Sequence, residues 1–333
     1  MDKQPLVSVI IPTHNSARYI ERCLEALLAS SYSPYEVVVV DDASTDDTAE
    51  LTGRYDVIRV QLPKQSGPSA ARNHAASKTK GDILFFVDSD VQIYRNTIAR
   101  VVADFKKDTD IAAVFGSYDD NPSERNFVSQ YKNLFHHFIH QQSSSEAKTF
   151  WAACGAVRRE VFEKMGGFDH SRFSKPSIED IEMGVRMKRL GYRILFDKDL
   201  QVKHLKKWQF GLLLRVEILH RAIPWSKLIL QSSGLNNDLN LKKSHRMSAF
   251  LVVLTVLFLL ISVFSSSFLY WIPLFLIAIL ILNYRLYWFF FRRRGIKFTF
   301  MAFPMHLFYY FYSSIAFALC WCMNKLSLKK ELQ

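Results

Sequence analysis

Cysteine is scarce: four residues in 333. Cys23 and Cys154 stand alone, while Cys320 and Cys322 sit in an apolar stretch without metal-ligand neighbours. That count excludes a disulfide framework, suits a reducing compartment, and leaves the thiols without chemistry of their own. No Gly-x-Gly-x-x-Gly follows the first apolar run, which removes the fingerprint of a dinucleotide-dependent oxidoreductase. Acids are in deficit, 31 Asp and Glu against 43 Lys and Arg, for a net charge of +12. From Ala249 to Tyr284 charge is missing altogether.

That uncharged run would make a single helix of about 54 Å, well beyond a hydrocarbon core of roughly 30 Å. Two passes are expected, with a turn at Ser265, Ser266 and Ser267 and with Pro273 opposing an unbroken helix. A further apolar stretch, Phe298 to Met323, either crosses again or re-enters. The expected membrane domain is 248–333, with spans near 248–266, 268–290 and 298–323. Lys242, Lys243 and Arg246 precede the first span, and Arg292, Arg293, Arg294 and Lys297 follow the second, so the positive-inside rule places both segments and the large N-terminal part in the cytoplasm. Three spans would send Lys325, Lys329 and Lys330 outside, against the rule; re-entry would keep them inside. The polar start from Met1 to Pro5 predicts no secretory signal.

The N-terminal part alternates short apolar runs with helical patterns. VSVII (7–11), VVVV (37–40), VIRVQL (57–62) and ILFFV (83–87) read as strands buried on both faces, which predicts an α/β, doubly wound, mainly parallel sheet. A helix is expected over 16–29, with Ile20, Leu24, Leu27 and Leu28 facing inward. Ligands of such sheets bind beyond the carboxyl ends of the strands, and each of these strands ends in something polar: Pro12-Thr13-His14-Asn15, Asp41-Asp42 with Ser44 to Asp47, a loop leading to Gly67–Asn73, and Asp88-Ser89-Asp90.

Two carboxylates one residue apart repel unless a cation stands between or near them, and hard divalent ions such as Mg²⁺ or Mn²⁺ take oxygen ligands. Alone, Asp88 and Asp90 read more readily as a solvated turn that caps the next helix, and Asp41-Asp42 with Asp46 and Asp47 as a helix start. Glu179 and Asp180 open a helix ending in Lys188, Arg189 and Gly191, where acids favour the dipole whether or not they do chemistry.

The ordered series VSVIIPTHN, VVVVDDASTDDT, GPSAARNHA, FFVDSD, FWAACGAVRREVFEKMGGFD and IEDIEMGVRMKRLGYRI resembles the family 2 glycosyltransferases, inverting nucleotide-sugar enzymes of the A-type fold, over about residues 7–204. The resemblance implies a catalytic domain over 1–204. It places Pro12, Thr13, Asn15 and Asp42 at the nucleotide, Arg72 on the nucleotide or its phosphates, Asp88 at the ribose and Asp90 on the metal. It implies Asp180 as the base that frees an acceptor hydroxyl, with Glu179 supporting it or touching the acceptor. Trp151, Cys154 and Gly155 lie in the stretch that shapes the donor-sugar and acceptor pocket. There Gly155 admits close backbone approach, and Gly166-Gly167 makes either a flexible turn or a plain helix stop. His204 lies where some relatives hold the metal or a phosphate.

Between Leu200 and Met247 there are nine Lys or Arg and two acids, Glu217 and Asp238, which is +7 of the chain's +12. Bulky apolar residues including Trp208 and Trp225 interleave with them, and Pro224 is expected to divide the stretch. A basic, Trp-bearing amphipathic segment over 205–247 would lie on an anionic membrane leaflet or pack as an ordinary helix. Nucleic acid is not the expected partner, since no nucleic-acid module accompanies the charge.

The Gln-x-x-Arg-Trp motif of processive synthases is absent, which favours single transfer of a hexosyl or N-acetylhexosaminyl group. The expectation is a metal-dependent enzyme, cytoplasmic-facing and multi-pass in the inner (plasma) membrane, moving a sugar from a UDP-sugar to a lipid-linked saccharide or glycolipid hydroxyl. The alternatives are a polyprenyl-phosphate glycosyl synthase and a membrane scaffold that binds a nucleotide sugar without turnover.

Overall fold

The computed structural model of the chain describes residues 4–231 and 241–331. Residues 232–240 of the expected linker, including Asp238, and the side chains of Lys329 and Lys330 lie outside the described residues. The chain divides into two compact units, Met1–Lys207 and Trp208–Gln333.

Among the described residues, the first unit is built on eight strands. They are β1 (Val7–Thr13), β2 (Tyr35–Asp41), β3 (Ile58–Gln61), β4 (Ile83–Val87), β5 (Val91–Gln92), β6 (Ile111–Tyr118), β7 (Cys154–Arg158) and β8 (Arg193–His204). Their order across the sheet is β3-β2-β1-β4-β7-β6-β8-β5. β1 pairs in parallel with both β2 and β4, and β6 with β8, while β7 runs against β4 and β6, and β5 against β8. Six strands therefore share one direction, as a mainly parallel sheet requires, and β7 is wedged in reversed.

Alternation along the central strands explains why both faces are covered. Val7, Val9, Ile11, Phe85 and Val87 pack with Ile20, Cys23, Leu24 and Leu27 of α1 (Ile20–Leu28) and with Val101, Val102 and Phe105 of α4 (Thr97–Lys107). Ile10, Val38, Val40, Leu84 and Phe86 face the other way, toward Ala71, Ala75 and Ala76 of α3 (Pro68–Lys78), Phe162 of α6 (Arg159–Lys164), and Met183 and Met187 of α7 (Glu179–Arg189). A strand apolar at every position has a layer on each side to bury into. The inward face expected for α1 needs one correction. Leu28 is 37% exposed at the helix end, and Cys23, fully buried, takes the inner position at the 3.6-residue spacing.

Two further helices complete this unit, α2 (Thr48–Thr52), which Asp46 opens by accepting the Thr48 N–H at 3.1 Å, and α5 (Phe127–Gln141). The acids expected to start a helix there do so.

The second unit is helical: α8 (Phe210–Arg215), a π-helical turn (Val216–Ala222), α9 (Ile223–Gln231), α10 (Lys243–Ile261), a 3₁₀ turn (Ser266–Tyr270), α11 (Trp271–Leu282) and α12 (Tyr284–Glu331). Pro224 does not divide the basic stretch as expected. It follows the π turn directly, and the wider i→i+5 spacing carries the helix past the residue that lacks an N–H. This stretch is not a separate segment either: Phe210 stacks on Phe308 with ring centroids 6.4 Å apart, and Glu217, 8% exposed, accepts from Tyr312.

Among the described residues, α10 is the one helix long and apolar enough to cross a membrane. The turn expected at Ser265–Ser267 is present. The second and third stretches are bent, as a broken span or a re-entrant loop would be, and the choice between crossing and re-entry stays open. The run Ser266–Leu282 meets Tyr284–Leu326 at 72°, and Gly295 (φ 79) breaks α12 again. The reason lies at Asn283, whose side-chain amide donates to Ser248 Oγ of α10 and to Ile279 O, and whose Oδ1 accepts from Tyr310 of α12. A buried amide bonded to both neighbouring helices fixes the corner at Leu282 instead of letting the helix run to 290.

Candidate active site

The loops at the carboxyl ends of β1, β2 and β4, the start of α7 and the end of β8 converge. Gly67 (φ 85) precedes Pro68 at the first position of α3, and a Cβ at Gly67 would lie 2.4 Å from Ser174 O. Only glycine fits that backbone and that contact. The α3 helix so started carries Arg72 inward, with its side chain 5% exposed. Arg72 donates through Nη2 to Asp88 Oδ1 at 2.8 Å and through Nη1 to Glu179 Oε1 at 3.0 Å, and its guanidinium lies 5.3 Å from the Phe168 ring. One planar fork thus joins the ends of β4 and α7.

Asp180 follows Glu179 and accepts N–H bonds from Ala152 at 3.1 Å and from Ile181 at 2.8 Å. Burial first, and then the neighbouring Glu179 charge, raise its carboxyl to about 6 against the pull of Arg72. Asp90 goes the other way. Burial would raise it, but Lys206, 3.3 Å away, and His204, 4.0 Å away, outweigh that and hold it below the ordinary carboxylate range. Asp88 is raised by burial and by Asp90, with Arg72 opposing.

These contacts close on themselves. Asp90 meets His204, whose ring stacks on Tyr118 at 4.0 Å between centroids. Tyr118 meets Trp151 edge-on at 4.7 Å. The N–H of Ala152 binds Asp180, Glu179 takes Arg72, and Arg72 returns to Asp88, two residues from Asp90. The two carboxylates expected to work together border one ring of residues.

Other expected site residues are placed as follows. Pro12 is half-buried on β1 beside Val40. The Thr13 hydroxyl, 2% exposed, points back to Val40 O. Asn15 (φ 50) accepts from Thr45 N–H and so ties the first loop to the second. Asp42 gives one oxygen to Ser66 N–H and the other to Gly67 N–H, both at 2.7 Å, holding the loop that starts α3; neighbouring Asp41 keeps Oδ2 buried without a hydrogen-bond partner among the described residues. Two of the three expected pocket residues line nothing open. Cys154 is fully buried on β7, where burial and then the charges of Asp197 and Asp88 push its thiol far up. The space beside Gly155 is taken by Trp151 O, 2.3 Å from where a Cβ would stand, and by the Phe150 ring. Gly166 and Gly167 end α6, both at positive φ, as a helix stop.

Sequence reasoning missed Lys206, Tyr118, His136 and His140. Lys206 carried a signal, since it stands two residues beyond His204 at the end of a strand. His136 and His140 lie one helical turn apart on α5, with rings 3.9 Å from each other and 5.1 and 5.6 Å from Trp151.

Four carboxylates, Asp88, Asp90, Glu179 and Asp180, border the ring against two permanent cations, Arg72 and Lys206. A divalent ion would balance the remainder, and hard oxygen donors suit Mg²⁺ or Mn²⁺. Among the described residues no three His, Cys, Asp or Glu are grouped to hold a metal by themselves. The donor set fits an ion that takes one or two carboxylates and fills its other positions from substrate phosphate and water.

Comparison with known proteins agrees with the sheet. Residues 8–166 match the family described as glycosyl transferase family 2. The chain is 30% identical over 218 residues to glycosyltransferase AglE of Haloferax volcanii, covering 63% of this chain and 70% of that protein. It is 27% identical over 213 residues to a Bacillus subtilis protein named "Probable glycosyltransferase YdaM", covering 59% of this chain and only half (50%) of that relative's length. The fold is similar, with TM-score 0.58 and 18% identity over 95% of this chain and 88% of the other, to the mannosyltransferase PcManGT of Pyrobaculum calidifontis in complex with GDP-Man and Mn²⁺. With the ordered motifs, the mixed eight-stranded sheet and a relative matched over most of its length, the chain belongs to glycosyl transferase family 2.

Proposed function

We propose that the chain transfers one sugar from a nucleotide diphosphate donor, a UDP-sugar, to a hydroxyl of a lipid-linked acceptor at the cytoplasmic face of a membrane. The observation that carries this is the closed ring of contacts linking Asp90 to Asp180.

The acceptor hydroxyl gives its proton to Asp180 as its oxygen attacks the anomeric carbon. The bond from that carbon to the diphosphate oxygen breaks on the opposite face, and its electron pair leaves with the nucleoside diphosphate, so the configuration inverts. A carboxyl raised to about 6 is ionised near neutrality and still basic enough to take a proton, the balance a general base needs. The N–H bonds from Ala152 and Ile181 aim it. Arg72 supplies fixed positive charge toward the phosphates, Asp88 beside it takes the ribose, and Pro12 with the Asp41-Asp42 loop takes the nucleobase. Asp90, with His204 near it, would hold Mg²⁺ or Mn²⁺, which when bound neutralises charge developing on the leaving diphosphate. Membrane attachment is supported by α10 and by the basic residues that precede it.

The test is Asp180→Asn with release of nucleoside diphosphate as readout. Loss of about 10²–10⁴-fold in turnover is expected for a hydroxyl acceptor. Turnover retained with a polyprenyl-phosphate acceptor would favour the phosphate-acceptor alternative, and nucleotide binding without release under any acceptor would favour a scaffold.

A further inference from the structure

The segment between the corner at Asn283 and the kink at Gly295 was expected to end a span, yet its two faces differ sharply. Leu286, Tyr287 and Phe290 are at most 7% exposed and pack inward. Tyr284, Trp288 and Phe291, at the i, i+4, i+7 spacing of a single helix face, are 60%, 59% and 41% exposed. Arg285, Arg292 and Arg293 are exposed on the same short helix, and Arg285 lies 5.8 Å from the Tyr284 ring. Eleven residues of helix reach only about 16 Å, half of a hydrocarbon core. The corner is not a loose hinge, because Asn283 is bonded to Ser248 and Tyr310 on either side.

A bilayer centre would reject three arginines, whereas open water gives no reason for three large aromatics in line. The headgroup boundary accepts both: aromatic rings settle between tails and water while guanidinium groups reach anionic phosphates. We propose that residues 284–294 form a helix lying in the plane of the membrane surface, seating Tyr284, Trp288 and Phe291 at the headgroup boundary and holding anionic lipid headgroups with Arg285, Arg292 and Arg293. The proposal rests on the membrane attachment proposed above.

Spin labels decide it on the full chain in vesicles of three parts phosphatidylcholine to one part phosphatidylglycerol. With Cys322→Ser removing the exposed thiol, single cysteines replace Tyr284, Trp288, Phe291 and, as a reference within α10, Val253. The in-plane helix predicts equal shallow depth at 284, 288 and 291 and a deep label at 253. A graded depth change of about 10 Å from 284 to 291 would mean a crossing helix and overturn the proposal. Three labels in water with a deep label at 253 would also overturn it while leaving the attachment intact. All four labels in water would overturn both. For the headgroups, spin-labelled phosphatidylglycerol should associate with the unlabelled protein several-fold more than phosphatidylcholine. The Arg285→Gln, Arg292→Gln, Arg293→Gln triple variant should lose that preference. An unchanged preference would overturn the headgroup assignment.

Discussion

Nη1 of Arg72 lies 3.0 Å from Oε1 of Glu179, a residue 107 positions later, and neither side chain is more than 7% exposed. That single pair fastens the start of α7, and with it Asp180, to the helix that follows β3. Removing one partner of a buried ion pair leaves the other charge stranded. Arg72→Ala should therefore lower stability by about 3–5 kcal/mol in denaturant titration, and adding Glu179→Gln should recover part of the loss. Arg72→Lys should also fail in turnover, since one ammonium cannot span Asp88 and Glu179 as the planar fork does.

Asp180 should control both activity and stability, in opposite directions. As a base it must be ionised, so kcat/KM should fall about tenfold per pH unit below about 6. Its folded value lies above the unfolded carboxylate range, so its stabilising contribution is present at low pH and lost as pH rises through about 6. At pH 7.5 Asp180→Asn should then raise stability by up to about 3 kcal/mol while lowering turnover by about 10²–10⁴-fold. A thermal melt and a nucleotide-release assay on the same preparation check both.

Gly184 lies one turn beyond Asp180, and a Cβ there would stand 2.1 Å from Phe150 N. Alanine would favour the isolated helix by about 1 kcal/mol, but the backbone contact must open to admit it. Gly184→Ala should shift α7 from the Ala152 N–H and cost about 10²-fold in kcat, with donor KM little changed. Steady-state kinetics with varied donor is the measurement.

Outside the ring of contacts, Asp104 of α4 bonds Asp197 of β8, which Arg100 also grips. Burial first, then the Asp197 charge, raise Asp104 to about 6. The contribution of the protonated form is present below the unfolded value and lost as pH rises through about 6. Asp104→Asn should keep a donor toward Asp197, flatten the dependence of the denaturation midpoint on pH between 5 and 7, and leave turnover alone.

Local pattern made much of this legible. α7 announced itself by acids at one end, bases at the other and Gly191 beyond, and its observed bounds, Glu179–Arg189, follow those signals. β1, β2 and β4 were plain because nearly continuous apolar runs, Val9 to Ile11, Val37 to Val40 and Ile83 to Val87, have few other homes. The reversed strand β7 was not: Cys-Gly-Ala-Val-Arg has little β-branched character, and its place between β4 and β6 comes from long-range pairing. Tyr118 and His136 escaped notice because their meeting with Trp151 joins the end of β6, the middle of α5 and the loop before β7, which only the tertiary fold brings together. The corner at Asn283 was hidden for a similar reason, since a lone amide in an apolar run reads as span until its partners on α10 and α12 are known.

The ring of contacts from Asp90 to Asp180 and back has no loose end. One severed link, such as Tyr118→Ala, leaves an open string whose members remain tethered the long way round through Arg72, and Glu179→Gln alone leaves them tethered through Tyr118. Cutting both leaves the arc that carries Asp180 held by His136 and His140 at Trp151 and by Met183 and Met187 of α7, so the doubly altered enzyme should fall below the product of the two single losses. Redundancy of this kind hides the importance of each member when residues are changed one at a time.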